Sequence, residues 1–87
     1  MLSEQFISEL KARSDIEDII GAYVNVKRRG RSLVGLCPFH SEKTPSFTVY
    51  PDSQSFYCFG CGAGGDVVTF IRQIENLDYI EAVKLLA

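Results

Sequence analysis

The sequence predicts an α+β fold in which short α-helices flank an antiparallel β-sheet. Apolar residues recur at helical spacing near both ends of the chain, whereas the middle carries β-branched and aromatic stretches separated by turn residues. A chain of 87 residues forms one small domain, and such domains often need a metal or another cross-link. We interpret residues 1–87 as a single domain with helices over about 4–21, a sheet over about 23–61 and helices over about 66–87.

Capping residues and apolar periodicity define four helices. Ser3 is placed to cap a helix over Glu4–Arg13, and a second helix begins at Ser14 or Asp15 and ends at Gly21. The apolar face of the first helix comprises Phe6, Ile7 and Leu10, and that of the second comprises Ile16, Ile19 and Ile20.

The two C-terminal helices follow aspartates in capping positions. Asp66 begins the third helix and Asp78 the fourth, which runs to Ala87, where we expect a domain boundary. The predicted buried faces are Val67, Phe70, Ile71 and Ile74 in the third helix, and Ile80, Val83 and Leu85 or Leu86 in the fourth.

Two hairpins account for the middle of the chain. A Gly-containing turn separates the first two predicted strands, and a Pro-Asp-Ser-Gln turn separates the second two. The glycine-rich segment 62–65 is expected to be a flexible connection to the third helix. The strands are Tyr23–Lys27, Ser32–Leu36, Ser46–Tyr50 and Ser55–Cys58.

Four metal-binding side chains occur in two pairs, each with two residues between its members. Cys37 and His40 form the first pair, Cys58 and Cys61 the second, and together they include every cysteine and the only histidine. Each pair can close on a tetrahedral zinc ion from one tight turn. Three thiolates and one imidazole fill all four positions, which favours a structural zinc over a catalytic one, although iron could use the same ligands. The predicted sheet is therefore zinc-ribbon-like.

Other chemistries fit the sequence less well. A disulfide framework would leave one cysteine unpaired, and we expect no signal peptide. The glycine run before Asp66 lacks the Gly-Lys-Ser/Thr ending of a phosphate loop. The acidic residues Asp15, Glu17 and Asp18 are explained by a helix start, so no catalytic group remains and the domain alone is predicted to be non-catalytic. No apolar run approaches the ~20 residues of a membrane span, and we expect a cytoplasmic location without membrane contact.

The basic residues are concentrated near the metal motif. The formal net charge is −2, yet residues 27–44 contain five cations and one anion. The basic run Lys27–Arg31 is either a solvated turn or, beside exposed aromatic residues, a surface that binds unpaired bases and their backbone. Strand alternation places Tyr57 on the face opposite Phe56. Phe47 shares a face with Val49, so a core position and a stacking position both remain open for it.

Two segments carry a family resemblance. Cys37–Phe47, with the sequence CPFHSEKTPSF, and Cys58–Asp66, with the sequence CFGCGAGGD, resemble the N-terminal zinc-binding domain of bacterial DNA primases of the DnaG type. The resemblance extends over nearly all of the chain. It implies that Cys37, His40, Cys58 and Cys61 bind zinc and that the chain is the N-terminal part of a longer primase.

The resemblance also implies a role in DNA replication. The intact protein would be a nucleotidyltransferase that makes short RNA primers on single-stranded DNA at the replication fork. Mg2+ would bind in a polymerase domain absent from this chain, belonging to the same or a neighbouring primase, and a C-terminal domain would bind the replicative helicase. The implied DNA-binding residues are Lys27, Arg28, Arg31, Lys43, Phe47 and Tyr57.

Two alternatives remain at this point. The zinc ribbon could dock a polymerase domain by protein–protein contact without touching DNA. The chain could also derive from a phage or plasmid helicase–primase, which the sequence beyond Ala87 would decide.

Overall fold

The computed structural model describes residues 3–40 and 43–87 and has the α+β, zinc-ribbon-like architecture that the sequence predicts. In the described residues, two helices precede a five-stranded sheet and two helices follow it. No helix in this part of the chain is long and apolar enough to cross a membrane. The elements are α1 (Glu4–Arg13), α2 (Ile16–Gly21), β1 (Val26–Arg29), β2 (Ser32–Gly35), β3 (Phe47–Tyr50), β4 (Ser55–Cys58), β5 (Gly64–Gly65), α3 (Val67–Ile74) and α4 (Tyr79–Leu86).

Each strand of the sheet pairs antiparallel with the strand that precedes it in sequence. Because side chains alternate between the two faces of a strand, the register assigns every residue to one face. The buried face carries a row formed by Val26, Gly35, Phe47 and Cys58. The opposite face, which we call the open face, carries a row formed by Lys27, Val34, Thr48, Tyr57 and Gly64.

Aromatic rings fill the space between the sheet and α3. Phe47 and Phe56 from the sheet meet Phe70 of α3, with ring centroids 5.5 to 6.2 Å apart. Phe39, between the first two predicted metal ligands, contacts all three rings at 5.7 to 6.2 Å. The loop that carries Cys37 and His40 is therefore anchored in the hydrophobic core.

The four predicted helix starts are confirmed by their capping hydrogen bonds. The side chains of Ser3, Asp15, Asp66 and Asp78 each accept a hydrogen bond from a backbone N–H in the first turn, at 2.8 to 3.0 Å. These bonds satisfy N–H groups that have no partner within the helix.

The first strand begins later than the sequence predicts. The backbone N–H groups of Tyr23 and Val24 donate to the carbonyl of Ile20 at 2.9 and 2.8 Å, so they belong to the end of α2. Strand pairing starts only at Val26. Local helix-terminal bonds here outweigh the β propensity of the side chains.

The glycine-rich connection was wrongly predicted to be flexible. Gly64 and Gly65 pair with β4 as a fifth strand. A Cβ atom at Gly64 would lie 2.9 Å from Cδ1 of Tyr57. The absence of a side chain thus allows the tyrosine ring to lie directly against the neighbouring backbone.

The buried face of α4 agrees with the prediction at Val83 but differs from it at Ile80 and Ala82. Ala82 and Val83 are buried, whereas Ile80 is 47% exposed. Because α4 packs against both α3 and α1, its contact stripe lies around Ala82, whose small side chain permits close approach.

A glutamine joins the β3–β4 turn to α2. The side-chain oxygen of Gln54 accepts a hydrogen bond from the N–H of Ile16 at 2.9 Å, and its amide nitrogen donates to the Pro51 carbonyl at 2.7 Å. Gln54 has φ of 53°, a left-handed conformation that costs free energy for a residue with a side chain. The two hydrogen bonds compensate for that strain.

An ion pair joins α1 to the start of α3. Lys11 Nζ lies 2.8 Å from a carboxylate oxygen of Asp66. Partial burial disfavours the charged form of Asp66, but the hydrogen bonds from Lys11 and Thr69 outweigh it, so the pKa of Asp66 lies below its usual value. The same hydrogen bond raises the pKa of Lys11.

We predict that the free energy of unfolding falls less steeply with decreasing pH in Asp66→Asn than in wild type. The Asp66 pKa is lower in the folded than in the unfolded state, so its contribution is complete above about pH 4 and is lost as the pH falls through the folded-state value. Urea unfolding of the zinc-loaded chain, from pH 7 down to the lowest pH at which its zinc content is unchanged, measures this dependence. The free energy of unfolding of wild type should exceed that of the variant by up to about 1 kcal/mol at pH 7, and the difference should narrow in acid. Lys11→Met should show the same loss of stability and the same pH dependence as Asp66→Asn. A difference in free energy of unfolding between wild type and variant that does not change with pH would contradict the prediction.

We predict that Gln54→Ala lowers the free energy of unfolding by about 1–3 kcal/mol, because the N–H of Ile16 loses its partner. Gln54→Gly separates this effect from backbone strain, since glycine tolerates φ of 53°. Urea unfolding should show both variants less stable than wild type. An alanine variant as stable as wild type would show that the hydrogen bond contributes little, since alanine retains the backbone strain.

Candidate metal centre

The four predicted ligands converge on one point. The ligand atoms of Cys37, His40, Cys58 and Cys61 all lie within 4.8 Å of one another. The Sγ atoms of Cys37 and Cys61 are 3.8 Å apart, and Cys58 Sγ lies 4.0 Å from His40 Nδ1. A tetrahedral zinc site with metal–sulfur bonds of about 2.3 Å has sulfur–sulfur edges of about 3.8 Å and sulfur–nitrogen edges of about 3.6 Å. The cluster therefore fits a zinc ion if the more distant ligand atoms move inward by about 1 Å.

Backbone N–H groups support the sulfur atoms in both metal-binding turns. The N–H of Phe39 donates to Cys37 Sγ, and that of Gly60 donates to Cys58 Sγ, each at 3.4 Å. Ser46 Oγ lies 3.5 Å from the same Cys58 sulfur. Such bonds stabilise thiolate and orient the ligands.

The glycines of the second turn have different roles. Gly62 adopts φ of 81°, and its N–H donates to the Cys58 carbonyl at 2.8 Å. Gly60 does not have positive φ; instead, a Cβ atom there would lie 2.9 Å from His40 Nε2 and from Ser46 Oγ. Gly60 is therefore required for close packing around the imidazole.

Two of the ligand thiols, those of Cys37 and Cys58, differ in pKa. Burial raises the pKa of Cys37 to about 12. Burial also acts to raise the pKa of Cys58, but hydrogen bonds from Ser46, the Cys61 and Gly60 backbone and Cys37 lower it to about 7. Metal binding must therefore displace the proton of Cys37, whereas Cys58 ionises more readily than Cys37.

The predicted basic residues fall on different sides of the sheet. Lys27 belongs to the open face, together with Arg29, which the sequence analysis did not single out. Arg28 lies on the opposite face, where its guanidinium contacts Glu17 of α2 at 3.0 Å. Side chains alternate between the two faces of a strand, so the sequence alone indicates that Arg29, and not Arg28, shares a face with Lys27.

The other two predicted cations lie in loops. Arg31 is exposed at the tip of the β1–β2 hairpin, and Lys43 is exposed ahead of β3. Lys27 lines a groove of about 520 Å3 whose other walls include Leu36, Pro38 and Pro45. The anion of this region, Glu42, lies outside the described residues.

The structure corrects one aromatic assignment and supplies another. Phe47 is 0% exposed, because its ring packs in the core against Phe56 and Phe70, so it cannot present a face to a base. Tyr57 is 41% exposed on the open face, as alternation predicts. Phe59, which the sequence analysis did not select, is 68% exposed. Its position between two metal ligands in a tight turn is the sequence feature from which its exposure could have been predicted.

Comparison with known proteins agrees with this geometry. The family model of the CHC2 zinc finger matches residues 2–87. The chain is 54% identical over 86 residues to DNA primase of Geobacillus stearothermophilus, and 52% identical over 86 residues to that of Halalkalibacterium halodurans. These alignments cover 99% of this chain but 14% of each relative, so the chain spans about one seventh of their length.

A solved structure has the same fold. The crystal structure of the Aquifex aeolicus primase, containing zinc-binding and RNA polymerase domains, matches with a TM-score of 0.90 and 45% identity. The match covers 100% of this chain and 21% of the Aquifex chain. The convergent Cys-His-Cys-Cys cluster, the family model and these relatives lead to one assignment: the chain belongs to the CHC2 zinc finger family, as the zinc-binding domain of a bacterial-type DNA primase.

Proposed function

We propose that this chain recognises the single-stranded DNA template of a DNA primase. The observation that carries the proposal is the row across the open face, which leads from Lys27 at one edge to Tyr57 near the metal-binding turns. Unpaired bases can stack on the exposed ring of Tyr57, and Lys27 with Arg29 on the same face can pair with phosphates of the strand. The relatives named DNA primase support the same role.

The metal has a structural role in this proposal. Cys37, His40, Cys58 and Cys61 hold one zinc ion, and the zinc finger family favours zinc over iron. The four protein ligands leave no open position for a substrate. Zinc bound here cross-links the two turns and so fixes the sheet that carries the DNA-binding groups.

Binding to DNA by this domain alone is expected to be weak. Lys27, Arg29, Arg31 and Lys43 are exposed, and four phosphate contacts to a single strand give a log K versus log salt slope of about −2.8. Phosphate contacts position the strand, whereas contacts to bases supply sequence preference. Arg28 contributes less, since Glu17 partly neutralises its charge.

The proposal places the chain at the N-terminus of a longer cytoplasmic primase that makes RNA primers for replication. The Aquifex structure contains an RNA polymerase domain beside its zinc-binding domain, which supports such a neighbour here. That domain would supply catalysis and bind Mg2+, and a further domain would bind the helicase. The zinc-binding domain itself would then be non-catalytic.

One observation favours polymerase docking as a second candidate function. A groove of about 610 Å3 between α1 and α4 is lined by Ile7, Tyr79 and Ile80 among others. Tyr79 and Ile80 are exposed, so this helical face could pack against another domain. Docking there uses a surface distinct from the open face of the sheet.

We predict that zinc removal unfolds the sheet. Apparent zinc binding energies in small fingers are about 10–16 kcal/mol, comparable with the about 5–15 kcal/mol stability of a whole domain. Circular dichroism and thermal melting after chelation should show a large loss of structure that added zinc restores. An unchanged melting curve after verified metal removal would contradict a structural role.

Gly60→Ala should lower zinc affinity by about 10- to 100-fold, because the added methyl group displaces His40 and Ser46. A competition titration with a chromogenic chelator measures this affinity. Gly21→Ala is the matched control, since nothing lies within 4 Å of a Cβ atom at that position. Equal affinities for the two variants would rule out the packing role of Gly60.

We predict that the triple variant Lys27→Ala, Arg31→Ala and Lys43→Ala loses most single-stranded DNA binding. Removing three phosphate contacts should reduce the magnitude of the salt slope by about 2.1. Fluorescence anisotropy between 50 and 200 mM salt, extended by NMR titration to millimolar DNA, measures the affinity.

The charge-matched control replaces three exposed cations of the helices, Arg13, Arg72 and Lys84, with alanine. This control should bind DNA nearly as wild type does. Equal loss in both triple variants would indicate nonspecific attraction. No loss in the first variant would favour docking as the function.

A further inference from the structure

We propose that Phe59 forms, with Tyr57, a base-stacking site beside the metal centre that takes unpaired nucleobases of single-stranded DNA. The two rings lie 4.9 Å apart between centroids, at an interplanar angle of 75°. Phe59 is the most exposed of the large hydrophobic side chains in the described residues, at 68%. This inference rests on the proposed template-binding function and identifies a part of that surface.

Backbone contacts hold the main chain of Phe59 and the ring of Tyr57 in place. The N–H of Phe59 donates to the Ser46 carbonyl at 3.0 Å, and Phe59 lies in the turn between Cys58 and Cys61. The Tyr57 ring lies against Gly64, where any Cβ atom would approach it to 2.9 Å. The backbone positions of the two residues are thus fixed before a ligand arrives, which reduces the entropy lost on binding.

The surrounding charges favour a nucleic acid strand. Tyr57 and Lys27 occupy the same row of the open face, three strand spacings apart. At about 4.8 Å for each spacing, their Cα atoms are about 14 Å apart, which is the length of about four stacked nucleotides. A strand whose bases stack at Phe59 can therefore place phosphates near Lys27 and Arg29.

The exposed apolar area is small for a protein interface. Stable protein–protein interfaces bury about 800 Å2 on each partner. Two partly exposed rings supply only a fraction of that area, whereas one aromatic ring is enough to stack a base with about 1–3 kcal/mol. A nucleobase is therefore the occupant that this pair fits.

The test compares ring-preserving and ring-removing variants of the zinc-loaded chain. Phe59→Ala and Phe59→Leu remove the π face, and Phe59→Tyr retains it. Phe6→Ala, on α1, is the matched control because its ring is also exposed but lies on a helix. The probe is a ten-nucleotide oligodeoxyadenylate, titrated by NMR, and zinc content is measured for each variant.

We expect Phe59→Ala and Phe59→Leu to weaken binding by about 5- to 150-fold, with zinc content unchanged. Phe59→Tyr and Phe6→Ala should stay close to wild type, and Phe59 ring protons should shift upfield when the oligonucleotide binds. Tyr57→Ala should weaken binding in the same direction.

Two results would overturn the inference in different ways. If wild type binds the oligonucleotide and Phe59→Ala binds equally well, stacking at Phe59 is refuted while template recognition stands. The same refutation follows if Phe59→Ala impairs only binding to a purified primase polymerase domain, which would assign the ring to docking. If wild type shows no shift changes at millimolar oligonucleotide, the proposed function fails and the stacking site with it.

Discussion

The convergence of two short turns on four ligand atoms is the constraint on which the rest of this domain depends. One turn, with Cys37 and His40, follows β2; the other, with Cys58 and Cys61, follows β4. Their approach brings Phe39 into the aromatic core, where it packs between the sheet and α3. A chain this small has little apolar surface to bury, so a metal cross-link and an aromatic core share the stabilisation. The N–H groups directed at sulfur show that the backbone of both turns is shaped for this purpose.

The geometry of the sheet also explains how a domain with net negative charge can have one basic surface. Strand alternation divides the run Lys27–Arg31 between two faces. Arg28 is directed to the helical side, where Glu17 balances it, whereas Lys27 and Arg29 belong to the open face. The acidic helices lie mainly behind the sheet, so their charge opposes DNA less than the net value of −2 suggests.

Much of the architecture could be predicted from the sequence, because helix caps and ligand spacing are local signals. The caps at Asp66 and Asp78 and the bounds of β4 follow directly from neighbouring residues. The fifth strand could not be predicted, since glycine has a low β propensity and the close approach of the Tyr57 ring to Gly64 is visible only in the folded structure. The burial of Phe47 likewise depends on Phe70, a ring more than twenty residues away in sequence, whose position no local pattern specifies.

The order of the strands has a consequence for how the chain acquires its structure. Every strand pairs with its sequence neighbour, so the sheet requires no crossover connection and most of its contacts are local. Proteins with low contact order fold rapidly, because little chain entropy is lost before each new contact forms. Hairpins can therefore assemble in sequence, and the ion needs to close only the short loop between the two turns. A newly synthesised chain can thus bring the two metal-binding turns close together, so that zinc binding completes folding, without forming many long-range contacts first.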